Sequence, residues 1–186
     1  MIDHLRAWRA HLIPGRALDI GAGDGETSLW LATHGFEVDA LEPEQLNARH
    51  LRVLFKEFPI HLHPIDVLDF SFPGEHYTLI IASAVLHFIP AKHHQRLARR
   101  LIKGLAPGGM LLAAAFTCDD PSRLDADEPG VDRVQHYFNE GELQQLFQPL
   151  DVLFYEEARR AAPDSFYGYR AGATLVARRA IELPGM

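Results

Sequence analysis

A chain of 186 residues, 47% apolar and 23% charged, has material for one folded core and too little for two. Its formal charge of −7 excludes a general attraction to nucleic acid or to an anionic membrane surface. Cys118 is the one cysteine, so no intrachain disulfide can form. The start lacks a secretory apolar segment, and no apolar run approaches the roughly 18 residues of a membrane helix. A cytoplasmic protein without nucleic-acid or membrane partners is expected.

Ile2, Leu5, Trp8 and Leu12 recur at helical spacing and predict a short cap helix within residues 1–15, closed by Pro14-Gly15. RALDIG, residues 16–21, follows as a buried strand. ETSLWLATHG, residues 26–35, reads as a helix with Gly35 at its C-terminal end. FEVDALE, residues 36–42, is the second strand. Pro43 is expected to open a helix to about Phe58 with Leu46, Leu51, Leu54, Phe55 and Phe58 inside.

PIHLHPID and YTLIIAS, at 59–66 and 77–83, give strands three and four. A helix over 91–105 is ended by a PGG turn at 107–109, before a fifth strand at 110–117. Residues 117–136 form a polar, acidic loop, long enough to be a candidate lid. Asn139 and Glu142 predict a capping box for a helix over 140–147. LDVLFYEE and AGATLVARR, with no helix between them, are expected to pair antiparallel. Strands alternating with helices mean one doubly wound α/β domain spanning residues 1–186.

In such a sheet, ligands sit beyond the carboxyl ends of the strands where strand order reverses. The glycine-rich segment DIGAGDGE falls there, after strand one. Gly21, Ala22, Gly23 and Gly25 give a tight turn that a ligand can approach closely. Glu42 precedes Pro43, which holds it extended at the tip of strand two, where a carboxylate can accept ribose hydroxyls. The dinucleotide fingerprint G-x-G-x-x-G requires a third glycine where this chain has Glu26, and Asp24 adds further repulsion toward a pyrophosphate. A nucleoside with a sulfonium and an amine in place of phosphates fits both the glycines and the acids. That ligand is S-adenosylmethionine.

These motifs resemble those of the class I S-adenosylmethionine-dependent methyltransferases, and the resemblance covers nearly the whole chain. It implies a seven-stranded, mostly parallel sheet of order 3-2-1-4-5-7-6 with the last strand antiparallel. It matches the first motif to Asp19, Gly21, Gly23 and Gly25, and the strand-two acid to Glu42. Asp66 matches the acid that takes the adenine amino group, with Val67 packing on the ring, while Ser83 and Ala84 end strand four beside the methyl group. Thr78 stands where the fourth-strand motif usually has an aspartate. SAVLHFIP, FNEGELQQLF and ATLVARR are most similar to the small tellurite-resistance, TehB-like, methyltransferases. Where those relatives carry a histidine-arginine pair after strand six, EEARRAAPD supplies Arg159 and Arg160 and no histidine.

The expected reaction is in-line transfer of the methyl group to a small molecule, a tellurite or selenite oxyanion or a small thiol, hydroxyl or amine, with S-adenosylhomocysteine as product. Alignment and a dry pocket carry most of such a transfer, and a base is needed only for a protonated acceptor. His87, just past strand four, is the candidate base or acceptor contact; a packed or solvated loop histidine is the alternative. Tyr137, Tyr167, Arg159, Arg160 and Arg170 are candidate acceptor contacts. His61, His63 and His93-His94 have no partners at metal spacing, so no metal site is read. Competing readings are an NAD(P)-dependent oxidoreductase or epimerase, and an accessory protein that binds the cofactor without turning it over.

Overall fold

The strand Tyr77–Ser83 sends Leu79 and Ile81 into one hydrophobic cluster and Ile80 and Ala82 into another, all four fully buried. That double burial marks a central strand of a sheet covered on both faces. A computed structural model describes residues 1–125, 134–163, 165 and 167–181. Its sheet consists of β1 (Arg16–Ile20), β2 (Glu37–Leu41), β3 (Ile60–His63), β4 (Tyr77–Ser83), β5 (Leu105–Phe116), β6 (Asp151–Ala161) and β7 (Tyr169–Arg178). The order is β3-β2-β1-β4-β5-β7-β6, parallel except that β7 runs against both β5 and β6. Strand order reverses between β1 and β4, as the expected topology requires.

The helices are α1 (Ile2–Trp8), α2 (Glu26–Thr33), α3 (Gln45–Leu54), α4 (Ala91–Gly104) and α5 (Glu142–Leu146). On one face Leu97 and Leu101 of α4, Leu143 of α5 and Phe147 pack with Leu18, Ile80 and Leu111. On the other, Leu5 of α1, Leu31 of α2 and Leu51 of α3 pack with Val38, Leu79 and Leu112. Each such fully buried side chain contributes about 1.5–3 kcal/mol. α1 is shorter than expected and runs into a 3₁₀ turn at Arg9–His11. Leu5 and Trp8 belong to the cluster that also holds Phe154 and Val176, so α1 covers the β7–β6 side of the sheet.

Three expectations are corrected. The third helix starts at Gln45 and not at Pro43, because the Glu44 carboxylate accepts the Asn47 N–H (2.7 Å) and makes Glu44 the N-cap. Leu46 in its first turn is 71% exposed rather than internal, and Phe58 lies beyond its end. The PGG segment is part of β5: Leu105 already pairs Tyr77, and a register shift absorbs the glycines. Gly109 is obligatory there, since a Cβ would stand 2.8 Å from the Tyr77 carbonyl. The last hairpin is also longer than expected, with Arg159, Arg160, Tyr169 and Arg170 inside its strands.

The Asn139–Glu142 box forms in one direction: Glu142 Oε2 accepts the Asn139 N–H at 2.8 Å, while Gly141 is the residue preceding α5. Of the expected loop, Pro121–Asp125 forms a 3₁₀ turn and residues 126–133 lie outside the described residues. Thr78 packs against Gly15, and its hydroxyl donates to the Arg16 carbonyl (3.3 Å). No helix among the described residues is long and apolar enough to cross a membrane.

Candidate functional site

Gly21, Gly23 and Gly25 all adopt positive φ, at 71°, 56° and 85°. The turn they form is tied to β2, because the Gly21 and Ala22 amides both donate to the Leu41 carbonyl at 2.9 Å. Glu42, 5% exposed, completes the tie: Oε2 accepts the Gly23 N–H (2.8 Å) and Oε1 the Glu44 N–H (2.9 Å). A carboxylate has about four lone-pair sites, so two bonds leave it acceptor capacity. Gly25 plays a different part. A Cβ there would meet Leu51 at 2.7 Å and Phe55 at 2.8 Å, so this glycine lets α3 close against the turn.

Asp19 is buried at the end of β1, where Oδ2 accepts the Ser28 hydroxyl of α2 (2.6 Å). Burial raises its pKa to about 6 against the Ser28 bond, and the charges of Asp24 and Glu42 add to the rise. Asp24 Oδ1 accepts the Glu26 N–H (3.0 Å) and so occupies one of the amides that a pyrophosphate would take at this helix start.

Above the turn lies a cavity of about 500 Å³, within the range of cofactor sites. Gly21, Gly23, Glu42 and Pro43 form one side of it, and Asp66 with Val67 another. Asp66 is anchored by accepting the Leu68 N–H at 2.7 Å. Ile65, Val85, Phe88 and Ile89 supply apolar wall. The described lining holds three acids, Glu42, Glu44 and Asp66, and no Lys, Arg or His. Such a donor set suits a cationic nucleoside and offers no counter-charge to phosphate.

Ala84, with φ of 53°, lines this cavity and also a smaller one of about 170 Å³. The smaller cavity brings together His87, Arg160 and Arg170 from the predicted set, and adds Phe116 and Thr174. His87 is fully buried, stacked on Phe116 with ring centres 4.0 Å apart. Its Nδ1 accepts the Phe116 N–H at 3.2 Å. Burial, and then the Arg170 charge, lower its pKa to about 4. Arg170 lies over the Phe116 ring at 4.1 Å, with Nε 3.5 Å from the buried Asp120.

Other predicted residues stand elsewhere. Asp19, Ala22, Gly25 and Ser83 are not in the lining of the large cavity. Tyr137 meets Ser122 (3.0 Å), and Arg159 pairs Asp119 (3.2 Å); neither they nor Tyr167 line the smaller cavity. His61 and His63 pair Glu37 and Asp39, each at 2.8 Å. His94, His136 and Glu142 bring ligand atoms within 4.8 Å of one another, a carboxylate neighbour that the sequence spacing of His93-His94 did not show, and His136 Nε2 bonds Glu142 at 2.7 Å. His94 Nε2 donates to the carbonyls of Leu86 and Ile89, which bracket His87 and fix its turn. Sequence reasoning missed Asp120, which anchors the Ala171 N–H (2.8 Å) and Arg170; the signal was available as Asp-Pro-Ser, an Asx turn.

Comparison with known proteins adds a family. The methyltransferase domain family matches residues 3–151. Hemagglutinin 1 of Eikenella corrodens is 26% identical over 149 residues, 78% of this chain and 47% of that protein. The 27-O-demethylrifamycin SV methyltransferase of Amycolatopsis mediterranei is 27% identical over 126 residues, 64% of this chain and 45% of its own length. The chain thus spans about half the length of these two relatives. TehB from Haemophilus influenzae shares the fold, with a TM-score of 0.79 at 21% identity over 96% of this chain and 62% of that one.

Proposed function

The chain belongs to the methyltransferase domain family, and from that premise we propose that it binds S-adenosylmethionine in the 500 Å³ cavity and passes the methyl group to a small molecule. The observation that carries this reading is the lining: bare glycine backbone and three acids, with no basic side chain among the described residues. When bound, the cofactor supplies a methyl group on a sulfonium, an electrophile that needs no metal or acid for activation.

The remaining work falls to the protein. Glu42, held by two main-chain N–H groups, offers its spare lone pairs to the ribose hydroxyls. Asp66 takes the adenine amino group, and Val67 with Ile65 gives the ring an apolar wall. Gly23 keeps the turn open, since no atom lies nearer than 3.9 Å to a Cβ built on it. Ala84 marks the junction through which the acceptor meets the methyl group. After transfer the acids hold the product, S-adenosylhomocysteine, by one positive charge less, which favours exchange.

Titration calorimetry with S-adenosylmethionine and S-adenosylhomocysteine tests the reading, with NADH as control. Saturable binding of the first two and none of NADH is expected. Absence of cofactor binding at hundreds of micromolar, or tighter binding of NADH, overturns it.

A further inference from the structure

His87 Nε2 is the one buried side-chain nitrogen or oxygen without a hydrogen-bond partner among the described residues. Its state follows from the other side of the ring. Nδ1 accepts the Phe116 N–H, so a neutral imidazole must carry its proton on Nε2. Moving that proton to Nδ1 would set it head to head with the Phe116 N–H. The ring is therefore locked as a donor at Nε2 and is unavailable as a base. Buried donors are almost always paired, and this one belongs to a residue that lines a cavity.

That cavity's other features narrow what completes the bond. Arg170 contributes a cation, fixed on the Phe116 ring and through Nε to Asp120. The Asp120 carboxylate also accepts from Ser122 and from the Ala171 N–H. The rest of the lining is mostly apolar, with Ala84, Ala114 and Gly172 in it; Thr174 and Arg160, the latter paired to Glu156, are the other polar members, and the volume of about 170 Å³ admits only a compact group.

We propose that this cavity seats the methyl acceptor, and that the acceptor is a small organic anion, a carboxylate or phenolate, held by His87 Nε2–H and the Arg170 guanidinium. The assignment rests on the cofactor reading, because Ala84 lines both cavities and so sets them side by side. An acceptor that arrives as an anion explains a site whose histidine takes no proton. An oxygen lone pair attacks the sulfonium methyl carbon, and the breaking carbon–sulfur bond leaves its electron pair on sulfur. An anion and a cation become a neutral ester or ether and a neutral thioether, with no proton moved. A dry pocket favours such mutual neutralisation.

The test uses the full chain at pH 7 and three probes: benzoate, its uncharged isostere benzamide, and selenite as an inorganic oxyanion. Long-range ¹⁵N NMR of His87 should show the Nε2–H tautomer, and benzoate should shift that proton downfield. Arg170→Gln should weaken benzoate about tenfold, with benzamide and selenite at least about tenfold weaker than benzoate on the native chain. A proton on Nδ1, or benzamide or selenite binding as well as benzoate, overturns the proposal. Calorimetry with S-adenosylmethionine on the same sample separates the two readings. Normal cofactor binding without benzoate binding removes the anion seat alone; failed cofactor binding removes both.

Discussion

Asp19 and Glu42 stand at the tips of adjacent strands, and their surroundings give them different work. Asp19 is buried and has a pKa near 6, so a cation entering the neighbouring cavity favours its ionised form. Cofactor binding near pH 6 is therefore expected to release a fraction of a proton. Calorimetry in buffers of different ionisation enthalpy measures it, and Asp19→Asn should abolish the buffer dependence. Glu42 acts through hydrogen bonds. Glu42→Ala removes the acceptor of the Gly23 and Glu44 amides together with the proposed ribose contact. Charged hydrogen bonds contribute about 1.5–3 kcal/mol, so the cofactor Kd should rise about 10- to 100-fold.

Among the elements, the strand-to-helix turn divides its glycines between packing and binding. Gly25→Ala forces a positive φ on a residue with a side chain and drives a Cβ into Leu51 and Phe55. Strain and overpacking together should cost about 2–4 kcal/mol, read as a fall in denaturation midpoint. Gly23→Ala meets no close atom, so it should cost only about 1 kcal/mol of stability while obstructing the cofactor.

Alternation and punctuation made the doubly wound α/β class and this turn readable without coordinates, while the order of the strands was legible only through the family resemblance. Helix boundaries were less so. Pro43 has the φ of a helical first turn, yet the next residue has the carboxylate that can cap, and the cap decides where α3 begins. The length of the β6–β7 hairpin was hidden because Arg159 and Arg160, just past the expected LDVLFYEE strand, are exposed and carry no apolar alternation. His87 was legible as a candidate contact with a packed histidine as the alternative, and the structure buries it fully. Its environment comes from Phe116 and Arg170, far along the chain.

Across the whole molecule, the pH dependence of stability joins buried groups of opposite sign. Asp19's folded pKa, about 6, exceeds its ordinary 3.8, so its contribution is full below pH 4 and is lost as pH rises through 6. His87 falls from 6.5 to about 4, so its contribution is full above 6.5 and is lost as pH falls toward 4. Each shift corresponds to roughly 3 kcal/mol, and the windows overlap. These two contributions offset each other between about pH 4 and 6.5, while His94 and His4, whose pKa values burial also lowers, add stability as pH rises over the same interval. Asp19→Asn removes one limb, so its Tm relative to the native chain should climb across that interval, and a constant difference would contradict the compensation. Below it Asp39 adds acid sensitivity: burial opposes its ionisation, but the Arg16 and His63 bonds outweigh burial and keep its pKa low.

The order of the sheet leaves two margins. β3 is only four residues long, too short to recruit a neighbouring molecule, whereas β6 runs for eleven. Along that open ladder, charged side chains discourage a second copy from adding its own strand. Replacing Glu156 and Arg159 with valine should leave the monomer folded and turn it toward concentration-dependent self-assembly, visible as rising light scattering. Colloidal behaviour is thus written into the same hairpin that closes the small cavity.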